Sequence, residues 1–295
     1  MCRRSRSIAA GGVLALLVVA PLGAQGVAAP PVVSDFPDTT APPAPHQATT
    51  GPLFTSTHAW IAGGTVLGTA TLLLVDRGIT DEVARDPGMR DNRFLRHLAT
   101  DFDYLGDPGT VIISVGLYGV GRLAHREHVA ELGLRGAEAL LLSAVTTEAI
   151  KGIAGRARPY LKDSDPDNFA LGRGFTHGGY SSFPSGHATA AFAVATVVAA
   201  EGSRWWPNRT WLVDPLVYGG ATMVAWARVY GEKHWASDVL AGAGIGTLSG
   251  LLVVRYHVLH PHTRLDRWLL PDQVGPDGHG SFRIGWRASW QLGAP

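Results

Sequence analysis

Six apolar segments follow one another through the central part of the chain, separated by polar or Gly- and Pro-containing stretches. They are rich in Ala, Leu, Gly and Val and run over Ala59–Val75, Thr110–Val120, Ala137–Ile150, Ala188–Ala200, Leu212–Ala227 and Val239–Val254. Apolar runs of this length favour helices over strands. The pattern therefore predicts an all-α fold, a bundle of about six core helices.

The sixth segment carries two further signals. Ser237-Asp238 precedes it, and residues of this type often begin helices. A small residue then recurs every four positions, which places Gly242, Gly246 and Gly250 on one helix face. We expect another helix to pack closely against that face.

The two ends of the chain differ from this central part. Arg3, Arg4 and Arg6 precede an apolar run and small residues, so 1–29 has the pattern of a secretory signal peptide, with an uncleaved membrane anchor as the alternative. Residues 30–55 are rich in Pro, Thr and Ala and form a linker, and 56–256 form the helical domain. In the tail, 257–295, apolar and polar residues alternate from Phe282 to Leu292, which predicts a short C-terminal strand.

Composition excludes several classes of protein. The net charge is +1 over 295 residues, so no overall basic field indicates nucleic acid as a partner. Cys2 is the only cysteine, which excludes an intramolecular disulfide and a cysteine-based zinc cluster. Three histidines near the tail, His257, His260 and His262, have no ligand partners at suitable spacing and are expected at the surface. The sequence thus predicts no metal site.

Three short motifs carry candidate chemistry. The first, KGIAGRARP, contains Lys151 and Arg158, and the second is PSGH, residues 184–187. The third, ARVYGEKHWASD, spaces Arg228, His234 and Asp238. Together and in this order, the motifs resemble the signature of the type 2 phosphatidic acid phosphatase and vanadium haloperoxidase superfamily, over roughly 59–254. One position departs from it, since Ala227 stands where the family usually has Ser, and a lost hydroxyl would weaken phosphate binding.

The residue types suit a phosphate. Lys151, Arg158 and Arg228 supply cations for the charged oxygens of a transferring phosphoryl group, without a metal or other cofactor. The hydroxyl of Ser185 and the amide of Gly186 add neutral donors. Arg156 and Lys162 fall outside the motif pattern and are expected to be solvated.

The two histidines divide the chemistry. His234 lies four residues before Asp238, so on a helix the carboxylate can orient the ring and leave one nitrogen free as the nucleophile. The resemblance implies a phosphohistidine on His234, with His187 as the acid that protonates the leaving oxygen and later activates water. Each of these residues taken alone also fits a purely structural role, such as capping a helix in the case of Asp238.

These observations predict a metal-independent phosphatase that acts on a lipid phosphate or diphosphate, or on a soluble phosphomonoester. A vanadium-dependent haloperoxidase, with vanadate as cofactor, and a non-catalytic lipid-phosphate-binding protein are the alternatives. The loop from Tyr160 to Phe183 is expected to lie over the active-site end, where Phe175, Tyr180 and Phe183 either contact a lipid chain or pack over the end of the bundle.

Location follows from topology. The apolar runs are mostly shorter than the roughly 20 residues that a bilayer requires. If a signal peptide exports the chain and the first three segments each crossed a membrane, residues 151–183 would return to the cytoplasm. An exported protein, periplasmic or associated with the outer face of the membrane, is therefore expected, with an integral cytoplasmic-membrane protein as the alternative.

Overall fold

The structure, a computed structural model, describes residues 51–161, 165–260, 273–276 and 282–285. The predicted signal peptide or anchor and most of the predicted linker lie outside the described residues, as do Lys162 and His262. The helices are α1 (Ser56–Leu73), α2 (Asp76–Thr80), α3 (Pro87–Arg90), α4 (Arg93–Tyr104), α5 (Thr110–Leu123), α6 (Glu127–Ala154), α7 (Gly186–Trp205), α8 (Thr210–Tyr230) and α9 (Ala236–Leu259). Single π-helical turns cover Asp81–Arg85 and Leu105–Gly109, and single 3₁₀ turns cover Arg173–Phe175, Gly178–Tyr180 and Pro207–Arg209.

The six predicted segments fall on the six long helices, α1 and α5 to α9, so the all-α bundle is confirmed. The sequence pattern misses α2, α3 and α4, because these short polar helices contain no long apolar run. A short antiparallel hairpin pairs β1 (Gln273–Pro276) with β2 (Phe282–Gly285), and β2 begins the stretch predicted as a strand. Residues 286–295 lie outside the described residues.

The predicted glycine face packs as expected. A Cβ atom added at Gly242, Gly246 or Gly250 would lie within 2.8 Å of a backbone carbonyl oxygen on or just before α7. The shortest such distance, 2.2 Å, joins a Cβ at Gly246 to the carbonyl oxygen of Thr189. No larger residue fits without a backbone shift, so these glycines set the close packing of α7 and α9.

The long helices extend beyond the apolar runs that predicted them. Five of the six have between 18 and 28 residues, because polar residues continue their ends. Of the described residues, α9 alone is long and apolar enough as a single helix to cross a membrane, and 78% of its apolar window is buried inside the protein. The expectation of an exported protein, with an integral membrane protein as the alternative, therefore stays a prediction.

His257 also differs from expectation. It is buried on α9, and its Nε2 lies 2.5 Å from Oε2 of Glu138 on α6. The sequence placed it at the surface because helix pairing between distant segments is not visible in local spacing. His260, in contrast, is exposed as expected.

Candidate active site

Five helix ends meet at one end of the bundle. The carboxyl ends of α6 and α8 lie beside the amino ends of α5, α7 and α9, which brings the three motifs together. They surround a cavity of about 400 Å³ whose lining includes six of the eight predicted site residues: Lys151, Arg158, Gly186, His187, Arg228 and His234. The other two, Ser185 and Asp238, are fully buried next to this lining.

The first motif turns where α6 ends. Gly155 adopts a left-handed conformation with φ 58° and ψ 41°, which ends the helix four residues after Lys151. A Cβ at Gly155 would lie 1.8 Å from the carbonyl oxygen of Ala170, so only glycine fits. This turn leaves Lys151 on the helix and Arg158 in the following extended segment, both facing the cavity.

Several polar atoms at the site are buried without a hydrogen-bond partner among the described residues. These atoms are Nε of Arg158, Nε of Arg228 and Oγ of Ser185. Burial is also the main reason that the pKa of Arg158 is lowered, and the nearby charge of Arg228 acts in the same direction. Buried donors without partners are costly, so their convergence at one cavity indicates a place for an anion.

His234 is held by a backbone group. Its Nδ1 lies 2.7 Å from the carbonyl oxygen of Ser182 and 3.8 Å from Oδ2 of Asp238. A carbonyl only accepts, so Nδ1 carries the proton and Nε2 is the nitrogen with a free lone pair. The sequence expected Asp238 to orient the ring directly, whereas in this structure the Ser182 carbonyl makes the closer contact.

Asp238 has several other partners. Its Oδ2 accepts hydrogen bonds from the Ser182 hydroxyl at 2.5 Å and from the Trp235 backbone N–H at 2.9 Å, so it also caps the start of α9. Burial opposes ionisation, but the nearby His234 ring and the Arg156 guanidinium outweigh it and hold the pKa of Asp238 below its usual value. Asp238 is thus an ionised, buried carboxylate beneath His234.

Both histidines have strongly lowered pKa values. Burial, reinforced by Arg228 and Arg158 and opposed by Asp238, lowers the pKa of His234 to about 4. Burial and Arg228 lower the pKa of His187 to about 4 as well, against the charge of Asp103. Both rings are therefore neutral at pH 7 in the ligand-free site.

Three residues at the site were missed or misjudged from the sequence. Asp103, at the end of α4, contacts a guanidinium nitrogen of Arg228 and lies 4.0 Å from Nε2 of His187. Glu148 contacts the ammonium group of Lys151, three residues further along α6. Arg156 is completely buried, not solvated, because two buried carboxylates surround it. Of these, only the three-residue spacing of Glu148 and Lys151 is a signal readable from the sequence.

Ala227 also occupies an unexpected place. It packs in the apolar core beside Ala225 and Trp226 and does not line the cavity. The missing hydroxyl therefore does not face the anion site, and the expected loss of a phosphate contact does not follow from this structure.

A helical bundle with cations, a buried imidazole that has a free Nε2 and a second histidine around one cavity suits the binding of a phosphoryl group. Residues 133–260 match the model described as PAP2 superfamily, and all three motifs lie within this segment.

Two relatives and two solved structures resemble the chain. A lipid A 1-phosphatase of Porphyromonas gingivalis is 41% identical over 75 residues, which cover 24% of this chain and 15% of that protein. YbjG of Escherichia coli, provisionally named an undecaprenyl-diphosphatase, is 29% identical over 161 residues, 53% of this chain and 72% of that protein. A transmembrane PAP2-type phosphatidylglycerolphosphate phosphatase from Bacillus subtilis has a TM-score of 0.49 at 22% identity, covering 68% of this chain and 94% of its own. LpxE of Aquifex aeolicus has a TM-score of 0.46 at 22% identity, covering 61% and 94%.

Proposed function

We propose that this protein hydrolyses lipid phosphates or diphosphates through a phosphohistidine on His234. The main support is that Lys151, Arg158 and Arg228 line one cavity together with two neutral histidines. The phosphatase names of the two relatives support the reaction class. Simple binding of a phosphate would not require a buried imidazole with its free nitrogen next to the cations.

The reaction proceeds in two balanced halves. Nε2 of His234 attacks phosphorus, and the bond from phosphorus to the leaving oxygen breaks while that oxygen takes a proton from His187. A water then gives a proton to His187 as its oxygen attacks phosphorus, and the P–N bond breaks to release phosphate. The fixed cations stabilise the charge on the equatorial oxygens, so the proposed reaction needs no metal ion.

Substrate binding prepares His187 for its role. In the ligand-free site its pKa is about 4, so it lacks the proton that a general acid donates. A bound phosphate brings negative charge next to the ring and offsets the effect of Arg228, which raises the pKa of His187. The substrate therefore promotes protonation of its own general acid.

The shape of the cavity favours a lipid. Helices α5 and α6 pack tightly away from the site, where a Cβ at Gly133 would lie 2.2 Å from the backbone nitrogen of Tyr118. Towards the site the cavity reaches Val111, Leu140 and Ala144 on these two helices. An acyl or prenyl chain fits this apolar side, with its phosphate among the cations.

An apolar flank continues this side onto the surface. Helices α5 and α6 expose large apolar side chains there, namely Val111, Ile112, Val115, Leu141 and Val145, of which Leu141 is 68% exposed. Contiguous exposed apolar groups mark contact with apolar partners. We propose that this flank contacts the membrane that holds the substrate and that the protein acts on the outer side of the cytoplasmic membrane.

A substrate panel tests the function. Purified protein is assayed with undecaprenyl diphosphate, phosphatidate and p-nitrophenyl phosphate, with and without EDTA. We expect EDTA-resistant release of phosphate and higher kcat/KM for a lipid. Absence of hydrolysis of every compound by folded protein would refute the proposal, and loss of activity with EDTA would refute its metal-free form.

A matched pair of variants tests the flank. Leu141→Gln is expected to lower kcat/KM for lipid substrates several-fold and to leave p-nitrophenyl phosphate hydrolysis unchanged. Leu216→Gln on α8 is the control, since Leu216 is 72% exposed but lies outside the flank. Equal effects of the two substitutions would contradict a specific role for the flank.

A further inference from the structure

We infer that Asp76 and Arg156 are positioning residues for His234, which act through Asp238. The inference deepens the proposed function and rests on it. Asp76 lies outside the three motifs, Arg156 is a position of the first motif with no role assigned above, and neither lines the cavity. Both are fully buried, directly behind Asp238.

Arg156 is held by an almost complete set of contacts. Its Nη1 donates to Oδ1 of Asp238 at 2.5 Å and to Oγ of Ser237 at 2.7 Å. Its Nη2 donates to Oδ2 of Asp76 at 2.8 Å, and its Nε donates to the Pro166 carbonyl at 2.8 Å. A guanidinium can serve two carboxylates in this fixed geometry, whereas a lysine ammonium is a point charge.

Two aromatic rings enclose the guanidinium. Its carbon lies 5.1 Å from the ring centre of Phe169 and 5.6 Å from that of Trp235. These rings keep water away, so charges inside the cluster interact more strongly than they would at the surface. The charges of Asp76 and Arg156 therefore act strongly on Asp238.

The balance of charge gives Asp76 its role. Arg156 and Asp238 alone would form a neutral pair, which would leave little negative field beneath His234. Burial raises the pKa of Asp76 against the hydrogen bonds from Ser237 and Arg156, and above that pKa the second carboxylate gives the buried cluster a net charge of −1. That charge stabilises the imidazole ring of His234 when it becomes positive on bonding to phosphorus, as a buried carboxylate does for a catalytic histidine.

Asp76 also fixes the position of Asp238. Its Oδ1 accepts the Ser237 backbone N–H at 2.9 Å, and its Oδ2 contacts the Ser237 hydroxyl. Ser237 immediately precedes Asp238 at the start of α9. The carboxylate of Asp76 thus ties the start of α2 to Ser237, the residue before Asp238.

The opposite side of His234 carries opposite charge. Arg158 and Arg228 face the ring from the cavity side and lower its pKa, and Asp238 is the group that opposes them. His187 also lines the cavity, and burial together with Arg228 keeps it neutral at pH 7. The buried cluster therefore balances the cations that bind the substrate.

Two anionic probes separate positioning from simple stabilisation of the fold. Inorganic phosphate tests the cations alone, whereas vanadate can also bond to Nε2 of His234 and mimic the five-coordinate transition state. Both affinities are measured by calorimetry on the full chain without any turnover. Because each ligand binds only folded protein, the ratio of the two affinities does not depend on the folded fraction.

Asp76→Asn is the main variant, since it removes the charge and keeps the size of the side chain. We expect vanadate affinity to fall about tenfold, the equivalent of one pKa unit, while phosphate affinity stays within about twofold. Arg156→Lys is the second variant, and it should weaken vanadate selectively because one ammonium cannot hold both carboxylates. Asp81→Asn is the matched control, since Asp81 is an exposed carboxylate of the adjacent turn paired with Arg85. It should alter neither affinity.

The outcomes distinguish this inference from the proposed function. A wild-type vanadate-to-phosphate ratio in both Asp76→Asn and Arg156→Lys would overturn the positioning role and leave the phosphatase proposal intact. A parallel loss of both affinities would also overturn it, because the cluster would then act on the fold or on the cations alone. A wild-type protein that binds neither anion and hydrolyses no substrate would instead refute the proposed function.

Discussion

Arg156 and Arg158 are two residues apart in the sequence and occupy opposite sides of the same site. Arg156 lies on the buried side of His234, where it pairs with Asp76 and Asp238. Arg158 lies on the cavity side, where its Nη2 contacts Ser181 and its Nε has no partner among the described residues. Two arginines of one short motif therefore have different roles.

This difference shows how the site divides its charges. On the buried side, cations and carboxylates satisfy one another, which fixes geometry but leaves no room for a ligand. On the cavity side, Arg158 and Arg228 retain unpartnered donors that a phosphate can satisfy. His234 lies between the two sides and is the residue on which both act.

Removal of His234 should have the largest effect. His234→Ala is expected to lower kcat by about 10⁴-fold or more, because the other residues of the site cannot act without the nucleophile. An acid-labile phosphoenzyme should form on the wild type and be absent from the variant. Retained turnover in His234→Ala would contradict the assignment of the nucleophile.

A second experiment should distinguish the roles of Arg158 and Arg156. Arg158→Lys is expected to lower kcat/KM by about 10²-fold and to weaken inorganic phosphate binding, because lysine keeps the charge but loses the paired N–H donors that hold two phosphate oxygens. Arg156→Lys should leave phosphate binding within about twofold of wild type. If calorimetry showed equal phosphate losses in both variants, the division between the two sides would be wrong.

The pH dependence sharpens the same comparison. His234 must be neutral to attack, and its pKa is about 4, so kcat/KM should fall about tenfold per pH unit below that value. On the alkaline side, kcat should decline as His187 loses its proton in the complex with substrate. His187→Asn should abolish the alkaline limb and keep the acid limb.

Circular dichroism at each pH provides the control for this profile. Because both histidines have folded-state pKa values below the usual 6.5, protonation favours the unfolded state, and stability falls as pH drops from about 6.5 towards 4. An acid limb near pH 6.5 in folded protein would show that burial does not lower the pKa of His234 as described.

Ala227→Ser should have the smallest effect on catalysis. Ala227 lies in the apolar core, so a hydroxyl there should leave kcat/KM within about twofold. It should instead lower the melting temperature, since a buried hydroxyl without a partner costs about 1–3 kcal/mol. An increase in phosphate affinity would show that this position faces the anion after all.

Much of the architecture was predictable because its signals are local. The six long helices follow from apolar runs, and the packing face of α9 follows from the four-residue spacing of its glycines. The three motifs also identified the cations and histidines that line the cavity. Polar helices such as α4, and with it Asp103, were missed because they lack an apolar run.

The sequence by itself determined the all-α fold and most of the residues that gather at the cavity, since each depends on residue type and short spacing. Only the tertiary structure decided that Arg156 is buried, that Asp76 balances it, that the Ser182 carbonyl contacts His234 and that Ala227 faces the core. The contacts of Asp76 with Arg156 and of Ser182 with His234 join residues that are 80 and 52 positions apart. Burial and charge pairing arise only when the helices pack, so no local pattern encodes them.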